Sequence, residues 1–98
     1  MPASAQAETL RVVSLGDSIA RGYGCEPEQA YGRLLADSLR ERYAGKGIAV
    51  SFENLGVDGQ ASGELLESVQ SGPAGKAAAE ADILTVSIGG NDLLQYLG

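Results

Sequence analysis

The 98-residue chain contains no histidine. Imidazole is the side chain that most often takes a proton from a serine hydroxyl near neutral pH, so these residues cannot form a serine–histidine pair among themselves. The single cysteine, Cys25, excludes an internal disulfide. With no second cysteine or histidine near it there is no zinc-ligand spacing either, and Cys25 reads as an unpaired loop thiol. Basic residues are scarce: seven Lys and Arg stand against 13 Asp and Glu, a net charge of −6. Binding a phosphate backbone requires clustered cations to displace counterions, and the seven here are scattered, which argues against a nucleic-acid partner. No run approaches the ~18 apolar residues of a membrane span, so no stable membrane insertion is expected. Met1 to Ala7 lacks the hydrophobic stretch of a signal peptide, and as written the chain reads as cytoplasmic. The alternating Ala3, Ala5 and Ala7 would suit a signal-peptidase site behind an upstream apolar segment, in which case the protein is secreted.

What the chain does have is an ordinary globular balance, 44% hydrophobic and 20% charged, enough for one small domain. Residues 1–8 are small and polar and read as a tail, leaving 9–98 as the domain. Leu10, Val12, Val13 and Leu15 predict a first strand ending at Gly16. A glycine-rich loop follows at 22–27. Tyr31, Leu34, Leu35, Leu39 and Tyr43 then recur at helical spacing, which predicts a helix with that stripe inward and Gly45 and Gly47 beyond its end.

Ile48, Val50 and Phe52 alternate with Ala49, Ser51 and Glu53, as in a second strand near a sheet edge. Ser62 is placed to cap a short helix through Leu65, Leu66 and Val69, and Gly72-Pro73 breaks it before an alanine-rich helix over 74–81. Ile83, Leu84, Val86 and Ile88 form a third, nearly all-apolar strand that suits burial between helical layers. A last helix starts near Asn91. Strands alternating with helices predict an α/β fold with a parallel sheet, right-handed crossovers and, if flavodoxin-like, strand order 2-1-3.

Three glycine-marked segments follow the apolar runs: Gly16-Asp17-Ser18, Asn54-Leu55-Gly56-Val57-Asp58-Gly59 and Gly89-Gly90-Asn91-Asp92. In a 2-1-3 sheet all three fall at the carboxyl ends of strands, so residues about 40 and 70 positions apart would share one pocket. Acyl transfer through serine needs a nucleophile, a base and donors aimed at the oxygen that turns negative. Ser18 is the candidate nucleophile. Taken singly the segments also have plainer readings: Gly-Asp-Ser and Val-Asp-Gly are turn chemistry, and Asn91 could cap the helix that follows. Asp17 accepts hydrogen bonds when ionised and is assigned to ordering the loop, not to proton transfer. Other motifs stop short. Gly16-Asp17-Ser18-Ile19-Ala20 is half a nucleophile elbow but follows the first strand, Gly22-x-Gly24 lacks a third glycine, and Gly75-Lys76 is followed by Ala77 in place of a hydroxyl.

From Leu10 to Leu94 the chain resembles the SGNH, or GDSL-type, esterase and lipase family, whose first block reads Gly-Asp-Ser-Leu and whose third reads Gly-x-Asn-Asp. The resemblance implies a three-layer α/β/α flavodoxin-like fold, present here as an incomplete front part of about three strands. It also implies serine-dependent hydrolysis of carboxylic esters through an acyl-serine intermediate, with no cofactor and no metal. Carried over residue by residue, Ser18 is the nucleophile, and the Ser18 N–H, the Gly59 N–H and the Asn91 side chain form the oxyanion hole. Gly16, Asp17, Gly90 and Asp92 support them. Gly59 is preferred to Gly56 because it stands five residues after Asn54, as the donor glycine does in the family. The partner expected is a small-molecule ester, such as a lipid or an acetylated carbohydrate. Two departures stand out: Ile19 and Ala20 replace the family's Leu and then Thr or Ser, and nothing matches the Asp-x-x-His block that carries the family's base. The resemblance therefore implies a truncated chain that is inactive by itself. A non-catalytic binding module and a flavodoxin-like interaction domain remain as alternatives.

Overall fold

The computed structural model describes residues 8–97 and alternates strand with helix. Strand β1 (Glu8–Gly16) runs into a single helical turn, α1 (Ser18–Arg21), then through a 3-10 turn at Pro27–Gln29 into α2 (Tyr31–Arg42). Strand β2 (Ile48–Gly56), helices α3 (Ser62–Ser71) and α4 (Pro73–Glu80), strand β3 (Ile83–Ser87) and helix α5 (Gly90–Leu97) complete the order. The sheet is parallel throughout, as the alternation of elements predicts, and its order is β2-β1-β3, that of the flavodoxin-like alternative. Strand β1 takes in Glu8, one residue that composition assigns to the tail; residues 1–7 lie outside the described part. The turn of helix at Ser18 has no periodic signature and is not anticipated by the sequence.

Register decides where the loops emerge. Gly16 stands opposite both Gly56 and Ser87, so the three strands end level. Gly16 has φ +141°, and a Cβ there would overlap the carbonyl oxygen of Ser87. Both the backbone angle and the space require glycine.

Strand β1 is covered on both faces, because alternate residues of a strand point to opposite sides. Val13 and Leu15 form a core with Leu65 of α3 and Ala74 of α4, flanked by Leu55, Ala77, Ala78, Ala81 and Ile88. The opposite face belongs to α2, whose Gly32 comes so close to the sheet that a Cβ would strike Ser14 Oγ and the Phe52 ring. This corrects the predicted inward stripe of α2 in part, since Leu35, Leu39 and Tyr43 are half-buried as expected. Gly32 and Ala36 are its buried positions, whereas Leu34 is 52% exposed. Backbone approach at the small residues brings the helix near the sheet and turns Leu34 aside. The fully buried Ser14 hydroxyl finds its partner in Thr85 Oγ1, at 2.6 Å.

Two further expectations are corrected. Strand β3 is not enclosed between layers: Leu84 and Val86 are 43% and 53% exposed, since α3 and α4 pack against each other and α4 against β1. Ser62 is the first residue of α3 and not its cap. Ala61 holds the cap position, and its N–H donates to the Glu64 carboxylate at 2.9 Å. Ser62 is instead drawn to Asp92, donating its hydroxyl to Oδ1 at 2.6 Å and its N–H to Oδ2 at 2.9 Å. These two bonds clasp the start of α5 to the start of α3. They favour the ionised carboxylate and hold Asp92 below the usual aspartate range, the Ser62 hydroxyl contributing most and partial desolvation opposing.

Two measurements check this construction. Gly16→Ala should lower unfolding stability by about 1–3 kcal/mol in urea titration, combining backbone strain with overlap. Gly63→Ala, in an open position of α3 with nothing near its Cβ, should be neutral or stabilising by up to about 1 kcal/mol. For the clasp, a depressed native pKa contributes stability above the unfolded value near 3.8 and loses it as pH falls through the native value. Asp92→Asn should therefore melt below the wild type at pH 7, and the gap should close as the pH falls below that value.

Candidate active site

Ser18 opens α1, half-buried, directly after Asp17. Asp17 is only 3% exposed; its Oδ1 accepts the Ile19 N–H at 3.0 Å, which caps the turn, and its own N–H donates to the Ser87 carbonyl at 3.1 Å. The carboxylate thus orders the loop. The Ser18 carbonyl accepts from the N–H groups of Gly22 and Tyr23 at 2.9 and 2.8 Å, closing the turn behind it. Being first in its helix, Ser18 has no intrahelical acceptor for its own N–H, and among the described residues neither that N–H nor its Oγ enters a hydrogen bond.

The second segment leaves the sheet at Gly56. Asn54 ties it to α1: its Nδ2 donates to the carbonyls of Ala20 and Arg21 at 3.1 and 3.4 Å, while its Oδ1 accepts from the Gly56 N–H at 2.9 Å. The Val57 N–H donates to the Gly16 carbonyl and the Gln60 N–H to the Val57 carbonyl, at 3.0 and 3.1 Å. Gly59 stands at the exposed tip of this turn with φ +79°, and its N–H has no acceptor among the described residues.

The third segment turns at Gly89, with φ +121°, into α5. Asn91 lies inside the helix, half-buried, and does not cap it; its Nδ2 donates to the Gln60 carbonyl at 3.0 Å. An amide nitrogen carries two hydrogens, so one remains available. A Cβ on Gly90 would stand 3.8 Å from Asp17 Oδ2.

The first two segments are directly joined through Gly16 and Val57, and the third is tied in through neighbouring residues: Asp17 bonds Ser87, and Gln60 and Ser62 bond Asn91 and Asp92. Among the described residues the N–H groups of Ser18 and Gly59 have no acceptor, and Asn91 keeps one amide hydrogen beyond its bond to Gln60. Sequence reasoning missed the positioning roles of Asn54, Gln60 and Ser62. For Gln60 no signal existed, since a backbone carbonyl leaves no trace in residue type. Among the described residues no three His, Cys, Asp or Glu side chains gather in a way that could hold a metal ion. No helix there is long and apolar enough to cross a membrane.

Comparison with known proteins meets the same architecture. The crystal structure of the lipase Lip_vut3 from a goat rumen metagenome superposes with a TM-score of 0.73 at 26% identity, over 90% of this chain and 41% of that one. AlinE4, an SGNH-hydrolase family esterase, gives a TM-score of 0.68 at 29% identity over 93% of this chain and 46% of its own. The uncharacterized protein YpmR of Bacillus subtilis (strain 168) is 33% identical over 90 residues, which are 92% of this chain and 34% of that protein. The chain thus spans less than half the length of these relatives. Residues 14–97, which include all three segments, match the GDSL-like Lipase/Acylhydrolase family, and the chain belongs to that family.

Proposed function

We propose that these residues form the nucleophile and oxyanion half of a serine-dependent carboxylic ester hydrolase. The observation that carries this reading is a serine in a strand-end loop, bonded to its neighbours on both sides of the sheet, whose own N–H and Oγ have no partner among the described residues. Ser18 Oγ adds to the ester carbonyl carbon, and the carbonyl electron pair moves onto oxygen. That oxygen is met by the N–H groups of Ser18 and Gly59 and by the remaining amide hydrogen of Asn91. Collapse expels the alcohol, which takes up the proton removed from Ser18, and water then releases the acid from the acyl-serine. Because the Gln60 carbonyl and the Ser62–Asp92 clasp already hold Asn91, little reorganisation is needed when charge develops.

The base is absent from these 98 residues, which contain no histidine. In this reading it is supplied by polypeptide beyond them, as the family's Asp-x-x-His block implies. A positioned base is worth about 10²–10⁴ in rate, so the chain by itself is close to inactive. The substrate is a small ester, lipid or acetylated carbohydrate. One observation favours a non-catalytic binding module: these residues hold no histidine to take the Ser18 proton.

Two measurements separate these readings. Residues 1–98 should hydrolyse p-nitrophenyl acetate hardly faster than Ser18→Ala, and strong Ser18-dependent turnover would show that a base is present after all. With imidazole added as an external base, mass spectrometry should find acetyl on Ser18, and Asn91→Ala should slow its appearance by about 10²–10³. Acetyl confined to lysines and the N-terminus would sink the hydrolase reading in favour of the binding module.

A further inference from the structure

Beside the nucleophile turn lies a cleft of about 540 Å³, within the ~300–1,000 Å³ range of ligand sites. Its walls come from Arg21, Tyr23, Cys25, Pro27, Asn54 and Asp58, with two glycines. Pro27 is its one aliphatic side chain. A single pyrrolidine ring gives an alkyl chain few aliphatic groups to bury against, and such burial is the main source of acyl-chain affinity.

What the wall offers is a flat ring and polar groups of both kinds. Tyr23 is 79% exposed, so its face is open to a ligand. Arg21 Nη1 donates to Asp58 Oδ2 at 2.8 Å, and among the described residues this is the sole hydrogen bond of either side chain. The other guanidinium N–H groups and Asp58 Oδ1 remain to meet a ligand as donors and acceptor. Since the two charges neutralise each other locally, an anionic ligand has no net attraction here, and the chain's net charge of −6 opposes one. A neutral polyol suits the cleft: its C–H face lies on the tyrosine ring while neighbouring hydroxyls bond to the guanidinium and the carboxylate.

Position links the cleft to the serine. Ser18 and Arg21 are three residues apart in one helical turn and so share a side of it. The Tyr23 N–H is bonded to the Ser18 carbonyl, and Asp58 immediately precedes Gly59. We infer that the cleft walled by Tyr23 and the Arg21–Asp58 pair receives the sugar-type, hydroxyl-rich alcohol portion of the ester, leaving the acyl group to another side of the serine. This rests on the ester-hydrolase reading for its meaning in catalysis, but the binding itself does not require turnover.

Cys25, the only thiol, is exposed on the wall and serves as the reporter. Its alkylation by iodoacetamide is followed on the 98-residue chain with cellobiose or with sodium decanoate below its micelle concentration. Cellobiose should slow alkylation severalfold and saturably, decanoate should not, and Tyr23→Ala should abolish the protection while the circular dichroism stays unchanged. Arg21→Ala should weaken it. Protection by decanoate and not by cellobiose, or by neither, overturns the assignment, as does cellobiose protection that survives in Tyr23→Ala. Acetylation of Ser18 is read separately, so a failure of sugar binding is distinguishable from a failure of the hydrolase reading.

Discussion

The level ending of three parallel strands is the constraint on which everything else in this molecule depends. Strand β1 is hydrogen-bonded on both sides, and the pairing of Gly16 with Gly56 and Ser87 brings three chain turns to one rim of the sheet. A one-residue slip of either neighbour would exchange its faces, moving Leu55 or Thr85 to the wrong side. The Ser14–Thr85 bond and the Val13, Leu15 and Leu55 grouping hold against that slip. Gly16 is where the demand is sharpest, since the chain must leave the sheet there while the Ser87 carbonyl occupies the space of a side chain.

The junction above the rim is built from polar bonds more than from packing. Asn54 ties β2 to α1, the Gly16 carbonyl holds Val57, and Ser62 with Asp92 holds α5. A backbone carbonyl or amide can satisfy only a fixed number of partners, so each committed group defines which neighbours stay available. Asn91 is the clearest instance. With one amide hydrogen on the Gln60 carbonyl, the direction of the other follows from the planarity of the amide.

Much of this was legible in residue order because the pattern was repetitive. Apolar runs of β-branched residues followed by glycine located the three strands, and alternation with helices pointed to parallel pairing, with the β2-β1-β3 order following only on a flavodoxin-like fold. The strand with polar alternation, β2, does sit at the edge. What stayed hidden was each feature set by a distant partner. Ser62 has the residue type and position of a helix cap, yet an aspartate 30 residues later takes both of its donors. The stripe of α2 follows its largest apolar residues, but Gly32 and Ala36 decide the contact because small residues permit close approach. For the site, glycines and the Gly-Asp-Ser and Asn-Asp pairs gave the three segments, whereas the bonds joining them run largely through backbone atoms that carry no sequence signal.

The two edges of the sheet differ in a way that bears on the missing base. At β2 the exposed positions are Ala49, Ser51 and Glu53, and a charge on an edge strand discourages further pairing. At β3 they are Leu84 and Val86, with no charge and no proline in the strand, and α5 beside this end of the fold exposes Leu93, Leu94 and Leu97. That composition belongs to a strand covered on both faces in a parallel sheet. This chain spans 41% and 46% of the solved structures it resembles. In the proposed reading one requirement answers both facts, because polypeptide that extended the sheet beyond β3 would bury these apolar side chains and arrive on the side of Asn91. If that polypeptide also carries the base, closure of the core and completion of the proposed catalytic set would be a single event.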